Sequence, residues 1–308
     1  LGILMGNAFT PRPGMMVGLD FTQQYILKLG IIFLGIRLSF EELIKFGSIA
    51  IPLIVICIVG VLILVKLLIK KVPISSKMSY LIAIGTSVCG ATAIVATAPV
   101  INAKKSEVAY AIANITLFGV IAMIVYPYFA EWYFDNDSLK IGLFLGTSIH
   151  ETSQVAAAGL IYDQQFNSPE TLNVATVTKL IRNTFLVILI PLFAFLYNRG
   201  ELKGQNYSIL SIFPYFVIGF IGMIIVRNIG DQFFTPNNNS YDLWINLIGY
   251  LKTLATVFLT MAMAAVGISI NLGELKSMGY KPFVVGLIAA VTVGFISLIY
   301  IETLTKFI

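Results

Sequence analysis

Residues 48–69 read SIAIPLIVICIVGVLILVKLLI, a run in which Lys66 is the only charged side chain. Apolar runs longer than about 18 residues are typical of membrane-spanning helices and are too long for the strands of a membrane barrel. Such runs recur along the 308-residue chain, in which 58% of residues are hydrophobic and 11% are charged. Soluble domains carry about 25% charged residues. The sequence therefore predicts an all-α, polytopic membrane protein.

Along the whole chain, the hydropathy pattern predicts a single membrane transporter domain covering residues 1–308. Residues 1–7 (LGILMGN) resemble the end of a helix, so we expect a further N-terminal helix to precede them. About nine complete transmembrane helices follow this fragment. Their approximate limits are 22–38, 48–69, 79–101, 108–132, 141–162, 174–197, 209–228, 246–270 and 281–303.

Several functional classes are disfavoured by the sequence. The net charge of +5 comes without a basic stripe, so no nucleic-acid partner is expected. Cys57 and Cys89 both lie in apolar segments and do not suggest a disulfide framework. Gln154 replaces the second histidine of a zinc-protease motif, and His150 is the only histidine. A hydrolase pairing Ser87 with His150 would need contact across helices. We expect no enzyme, no cofactor and no bound metal.

Span three contains residues 84–99, IGTSVCGATAIVATAP, which are mostly small or hydroxylic. Small residues let helices pack closely in lipid, and this is one interpretation. We favour the other, an interrupted helix, because Gly85, Gly90 and Pro99 weaken helical continuity. Freed backbone groups and hydroxyls would then line a substrate site. The candidate substrate-binding residues of this span are Thr86, Ser87, Cys89 and Thr92.

Span five contains residues 146–159, GTSIHETSQVAAAG. On a continuous helix, Thr147, His150, Glu151 and Gln154 would form one polar stripe. A charge at bilayer depth costs on the order of 2.5–3.5 kcal/mol, so these side chains should face a cavity or a partner. The alternative is a helix end among lipid headgroups. The candidate coupling residues are His150, Glu151 and Gln154.

Span six places Lys179, Arg182 and Asn183 on one helix face. Long basic side chains can extend to the membrane interface, which is one interpretation. The functional one is a positive pocket that faces Glu151 or a bound oxyanion, since arginine donors suit oxyanions. Lys179 and Arg182 are therefore candidate substrate-binding residues, and Arg37 in span one is a weaker candidate.

Two internal similarities are present. Residues 35–47 (GIRLSFEELIKFG) match residues 267–279 (GISINLGELKSMG), and the seven intervening spans give them opposite directions, as in inverted-repeat transporters. The alternative is a chance similarity of two helix ends with similar glycine spacing. Residues 85–87 and 146–148 are both GTS, but they lie two spans apart and point the same way. The second similarity does not fit an inverted repeat.

Residues 85–94 and 148–159, together with 179–182 and 261–267, resemble the YeiH-like family of proposed sulfate exporters. The resemblance covers essentially the whole chain, and the family is grouped with bile-acid-type and sodium/proton-antiporter-like transporters. It implies an inverted-repeat fold with panel and core domains and crossing discontinuous helices. Spans three and eight would then cross, with residues 267–271 as the second break and Ser269 and Asn271 as weaker site candidates. It also implies a multi-pass protein of the bacterial cytoplasmic membrane.

The sequence thus favours a secondary carrier that exports a small anion, such as sulfate, sulfite or a sulfonate. Lys179 and Arg182 would attract the anion, hydroxyls of span three would complete its cradle, and His150 and Glu151 would carry a coupling proton. Sodium-coupled uptake of an organic anion, with Na⁺ near Gln154 and Asn271, is one alternative. A channel or sensor is another. The expected partners are the anion, the lipid bilayer and a coupling proton or Na⁺, and a homodimer is left open.

Overall fold

Nearly all of the residues that the computed structural model describes are helical, and no strand occurs among them. The described residues are 5–6, 8, 13–68, 75–98, 101–186, 188–189, 192–193, 215–236, 240–269 and 280–304. The helices are α1 Pro13–Phe21, α2 Leu27–Leu34, α3 Phe40–Leu68, α4 Ser76–Ser87, α5 Ala91–Thr97, α6 Lys105–Phe134, α7 Ser138–Ser148, α8 Thr152–Phe166, α9 Pro169–Thr184, α10 Phe216–Phe233, α11 Tyr241–Ser269 and α12 Tyr280–Leu304. A π-helical turn, Thr22–Ile26, joins α1 to α2, and a 3-10 turn, Gly35–Arg37, follows α2.

The prediction of an all-α polytopic membrane protein is confirmed. Each of the nine predicted spans overlaps at least one of these helices. Among the described residues, five helices are long and apolar enough to cross a membrane without interruption. These are the segments Phe40–Leu67, Ser106–Phe134, Phe216–Phe233, Tyr241–Ala262 and Phe283–Thr303.

The described residues form two compact units. The first contains the described parts of Leu1–Phe46 and Pro214–Gly273, and the second those of Gly47–Phe213 and Glu274–Ile308. The prediction of a single transporter domain stays a prediction.

Glycines let helices of the first unit approach closely. A Cβ atom at Gly35 would lie 2.3 Å from the backbone oxygen of Phe220, and one at Gly30 would lie 3.1 Å from the Leu259 side chain. From the π-helical turn, Gln23 donates a hydrogen bond to the Ser269 hydroxyl at 2.7 Å. Small residues and polar links of this kind are how helices associate in lipid.

In the second unit, α7 packs on α9 through two glycines one turn apart. A Cβ atom at Gly142 would lie 2.5 Å from Val174, and one at Gly146 would lie 2.8 Å from the backbone oxygen of Ala175. This is the small-residue spacing that brings membrane helices into backbone contact. The close contact holds the C-terminal end of α7 directly against α9.

Two spans of the second unit are broken helices. Residues 88–90 separate α4 from α5, and residues 149–151 separate α7 from α8. Gly90 has φ +60°, which favours glycine and ends the helical path. With 12 residues, α4 rises about 18 Å, roughly half the thickness of a bilayer core. The interruption predicted for span three is therefore confirmed.

The break in span five was not predicted. The break expected in span eight at residues 267–271 stays a prediction, because α11 is helical through Ser269 and residues 270–271 lie outside the described residues. The single polar stripe predicted for span five was wrong. Because the helix stops after Ser148 and restarts at Thr152, Thr147 and Gln154 belong to separate helices.

The packing predicts that G146V destabilises the protein. The new side chain would meet backbone as well as the Thr178 side chain, so α7 must move away from α9. Overpacking of this kind costs about 1–3 kcal/mol. We expect a lower thermal unfolding temperature in detergent than for G249V, since no atom lies within 4 Å of a Cβ at Gly249. Equal unfolding temperatures for the two variants would contradict the packing described here.

Candidate functional site at the two helix breaks

Lys179 and Arg182 lie on one face of α9, and both side chains are completely buried in the described structure. Neither reaches a lipid-facing surface, so the interpretation that they extend to the membrane interface was wrong. The face they share with Asn183 is turned toward the two breaks, as their hydrogen bonds show.

The Arg182 guanidinium binds the C-terminal ends of two different half-helices. On α4, Nε donates to the backbone oxygen of Ser87 at 2.7 Å, and Nη2 donates to that of Thr86. On the other side, Nη1 donates to the backbone oxygens of Thr147 and, at 3.4 Å, Ile149. One side chain thus joins the ends of α4 and α7.

Lys179 continues this pattern into the breaks themselves. Its Nζ donates to the backbone oxygen of Val88 at 2.7 Å, that of Ile149 at 3.0 Å and that of His150 at 2.5 Å. An ammonium group has three donors, so all are matched.

These bonds satisfy the backbone carbonyls that a helix end leaves unpaired inside a membrane. The last carbonyls of a helix have no partner within the helix and carry the negative end of its dipole. Lipid supplies no donor, so a buried cation at this point satisfies both the hydrogen bonds and the charge. In this conformation the nitrogen atoms of Lys179 and Arg182 are engaged by backbone, and their contact with an anion stays a prediction.

The Glu151 side chain links the second break to the first. Its carboxylate accepts hydrogen bonds from the backbone N–H of Ala91 and from the Thr116 hydroxyl, the latter at 3.4 Å. A Cβ atom at Gly90 would lie 2.5 Å from Glu151 Cγ, so the first break must have glycine here. Lys179 also interacts electrostatically with this carboxylate. The two breaks therefore meet in a cluster of opposite charges.

Gln154 lies in the first turn of α8 and supports the backbone of Glu151. Its Oε1 accepts from the Glu151 backbone N–H at 3.2 Å, and its Nε2 donates to the Thr116 backbone oxygen at 3.3 Å. Both polar atoms of the amide are thus used to fix the second break, which makes Gln154 a structural support for Glu151 here.

Several buried polar atoms near the breaks have no hydrogen-bond partner in the part of the chain that the structure describes. Buried polar groups are nearly always paired, so such atoms indicate water or a ligand. Ser87 and Ser148 are especially informative because they end α4 and α7, the two half-helices that Arg182 joins. The partnerless atoms are Thr86 Oγ1, Ser87 Oγ, Ser148 Oγ, His150 Nδ1, Thr178 Oγ1 and Asn183 Oδ1.

The other predicted site residues have varied positions. Cys89 is buried in the first break, while Thr92 is exposed on α5 and hydrogen-bonds to Cys89. Arg37 and Ser269 belong to the first unit, where Arg37 donates to the Thr256 hydroxyl at 3.0 Å. Asn271 lies outside the described residues.

Sequence reasoning did not name Ser148, Thr178 or Thr116 as site residues. The repeated GTS of residues 85–87 and 146–148 could have identified Ser148, because Ser87 and Ser148 end equivalent half-helices.

The hydrogen bonds predict that R182Q is strongly destabilising. Carbonyls at the ends of α4 and α7 would lose their donors, at about 1–3 kcal/mol for each unpaired group. R182K should lie between R182Q and the wild type, because it keeps the charge but reaches fewer carbonyls. The measurement is thermal unfolding in detergent, with R227Q as control, since Arg227 pairs with the partly exposed Asp231. An R182Q protein as stable as R227Q would refute this role.

Comparison with known proteins identifies a family and several related membrane proteins. The chain matches the family described as "Conserved hypothetical protein 698" over residues 1–286. It is 34% identical to a UPF0324 membrane protein of Fusobacterium nucleatum, covering 97% of this chain and 87% of the relative. It is 33% identical to one from Streptococcus agalactiae, covering 93% of this chain and 82% of the relative. No solved structure matches.

A further relative is the UPF0324 inner membrane protein YeiH of Escherichia coli, 33% identical over 94% of this chain and 79% of the relative. Together with the membrane-spanning helices, this name confirms the predicted location in the bacterial cytoplasmic membrane. The resemblance found in residues 85–94 and 148–159 is confirmed as well, and the chain belongs to the UPF0324 family of multi-pass membrane proteins.

Proposed function

We propose that this protein is a secondary transporter that exports a small oxyanion, such as sulfate, sulfite or a sulfonate, with a proton as coupling ion. The main support is the meeting of two helix breaks at a buried charged cluster in which Ser87 and Ser148 hydroxyls lack partners among the described residues. Irregular backbone at membrane depth is tolerated only where protein or a cavity surrounds it. Broken helices that meet near mid-membrane commonly form substrate sites in secondary transporters.

In this proposal, hydroxyls make the direct contacts with the anion. Thr86, Ser87 and Ser148 can donate to an oxyanion, because their hydroxyl hydrogens are not committed to other described atoms. Lys179 and Arg182 supply positive charge at the site while their N–H groups hold the carbonyls. Because the two cations stay bound to backbone carbonyls, they remain in place when the anion leaves.

Glu151 and His150 are the proposed proton carriers. Glu151 lies beside Lys179 and at the junction of both breaks, so a proton on its carboxylate changes the net charge of the site by one unit. Anion binding and proton binding are then linked through electrostatics. His150 is buried with an unpartnered Nδ1 among the described residues, a position from which it can relay a proton.

The hydroxyl contacts predict that the double variant S87A/S148A raises the KM for anion transport by at least about tenfold, since a hydrogen bond to a charged group contributes about 1.5–3 kcal/mol. The measurement is uptake or efflux in proteoliposomes with sulfate, sulfite and organic sulfonates. The control is S76A/S106A, in which both serines are exposed. An unchanged KM for every transported anion would contradict the proposed contacts.

Proton coupling predicts a different defect for E151Q. Anion counterflow should persist, because the glutamine can still accept the hydrogen bonds of Ala91 and Thr116. Anion-driven pH change inside the vesicles, followed with an entrapped dye, should be lost. Q165E serves as control, because it changes charge on α8 at an exposed position. A pH change equal to that of wild type would exclude Glu151 as the proton carrier.

Sodium coupling is the second candidate, and Asn183 is the residue that favours it. Asn183 Oδ1 can only accept a hydrogen bond or bind a cation, and it has no partner among the described residues. Serine and threonine oxygens nearby in the breaks are also suitable ligands for a hard cation. The Gln154 carbonyl oxygen, the earlier candidate, is engaged by the Glu151 backbone N–H. Replacing sodium with choline should leave transport unchanged under the proton proposal and abolish it under this one.

A further inference from the structure

We propose that Thr116 on α6 is a positioning residue that holds the Glu151 carboxyl group and tunes its proton exchange. This inference rests on the proposed function, in which Glu151 carries the coupling proton. Thr116 lies on a continuous helix, whereas Glu151 lies in the break between α7 and α8, where the backbone leaves the helical path. A rigid element is the better support for a group that must keep one geometry.

Thr116 contacts the second break at two points. Its hydroxyl donates to Glu151 Oε1 at 3.4 Å, and its backbone oxygen accepts from Gln154 Nε2 at 3.3 Å. Gln154 in turn accepts from the Glu151 backbone N–H at 3.2 Å. A single residue of α6 therefore fixes the side chain of Glu151 directly and its backbone through Gln154.

α6 is suited to this role because it packs against all four half-helices, α4, α5, α7 and α8. Its Gly119, one turn after Thr116, makes room for the Gln154 amide. A Cβ atom at Gly119 would lie 1.9 Å from Gln154 Oε1. The atoms in the way are the tip of a flexible side chain, so G119A should fold while displacing the Gln154 amide.

Gly90 of the first break also limits the position of the Glu151 side chain, because a Cβ atom at Gly90 would lie 2.5 Å from Glu151 Cγ. The Glu151 side chain is thus confined between the first break and α6. Among the described residues, the charged or titratable groups that act on this region are Lys179 and Arg182 of α9, Cys89 of the first break and the adjacent His150. None of these groups lies on α6, which contributes a neutral hydroxyl.

A hydroxyl is chemically suited to a carboxyl group that gains and loses a proton. It donates to the ionised carboxylate and, by rotating, accepts from the protonated acid. Donation favours the ionised form, so loss of the hydroxyl should shift proton release from Glu151 to higher pH. The 3.4 Å bond is longer than the usual distance of about 2.5–2.7 Å for such a bond, so we expect a small shift.

Infrared titration of the purified protein in lipid tests this without requiring transport. The chain has 15 Asp and Glu residues, so the carboxyl band of Glu151 is isolated as the difference between each variant and the same variant carrying E151Q. T116V should shift the midpoint of this band to higher pH, and T116S should restore the wild-type midpoint. T260V is the matched control, because the Thr260 hydroxyl bonds to the backbone of its own helix at 2.8 Å.

The same variants are then compared for the pH at which transport is half-maximal. A shift with T116V that T116S reverses supports the inference, and a T116V midpoint equal to that of wild type overturns it. T116A replaces T116V if the valine variant does not fold, with the same expected shift. Absence of anion transport by the wild-type protein, together with an infrared shift in T116V, would overturn the proposed function and leave the support of Glu151 by Thr116 intact.

Discussion

The Arg182 guanidinium holds the C-terminal carbonyls of α4 and α7 together, and the rest of the second unit depends on this one interaction. A helix that stops inside a bilayer leaves carbonyls that lipid cannot satisfy. Two helices stop here at once, which doubles the demand for donors. Arg182 and Lys179, one turn apart on α9, meet it with cations that also offset the negative ends of both helix dipoles. Two helices of the chain can therefore end next to each other, one at residues 88–90 and the other at residues 149–151.

Other features of the second unit follow from keeping these parts in contact. Gly142 and Gly146 bring α7 against α9, so that Arg182 reaches the end of α7. Gly90 lets Glu151 enter the first break, which sets its carboxylate beside Lys179. Because the cations bind backbone, the hydroxyls of Ser87 and Ser148 remain available at the junction. A rigid charged frame with uncommitted hydroxyls is an arrangement in which a small ion could bind and leave.

Much of this fold could be predicted from hydrophobic patterning, because span length and apolar composition are local properties. The break in span three was predictable from its glycines. The break in span five was not predictable, because residues 149–151 contain no glycine or proline. It is maintained by a tertiary interaction, the hydrogen bonds that Lys179 donates to the Ile149 and His150 carbonyls. The face shared by Lys179 and Arg182 was correctly predicted, but not that backbone carbonyls would occupy their donors. The repeated GTS sequence did not fit an inverted repeat. Its two copies nevertheless form the last residues of α4 and α7, the half-helices whose ends meet.

We propose that an anion binds where the two breaks meet, against hydroxyls and not in place of the carbonyls held by Arg182. The most direct measurement is a crystal structure of the protein in lipid with selenate, whose selenium gives an anomalous signal that locates a sulfate-like anion. We expect an anomalous peak within hydrogen-bond distance of Ser87 or Ser148, with Arg182 still bound to the backbone oxygens of Thr86 and Thr147. A peak only at other sites, or breaks that do not meet, would contradict it.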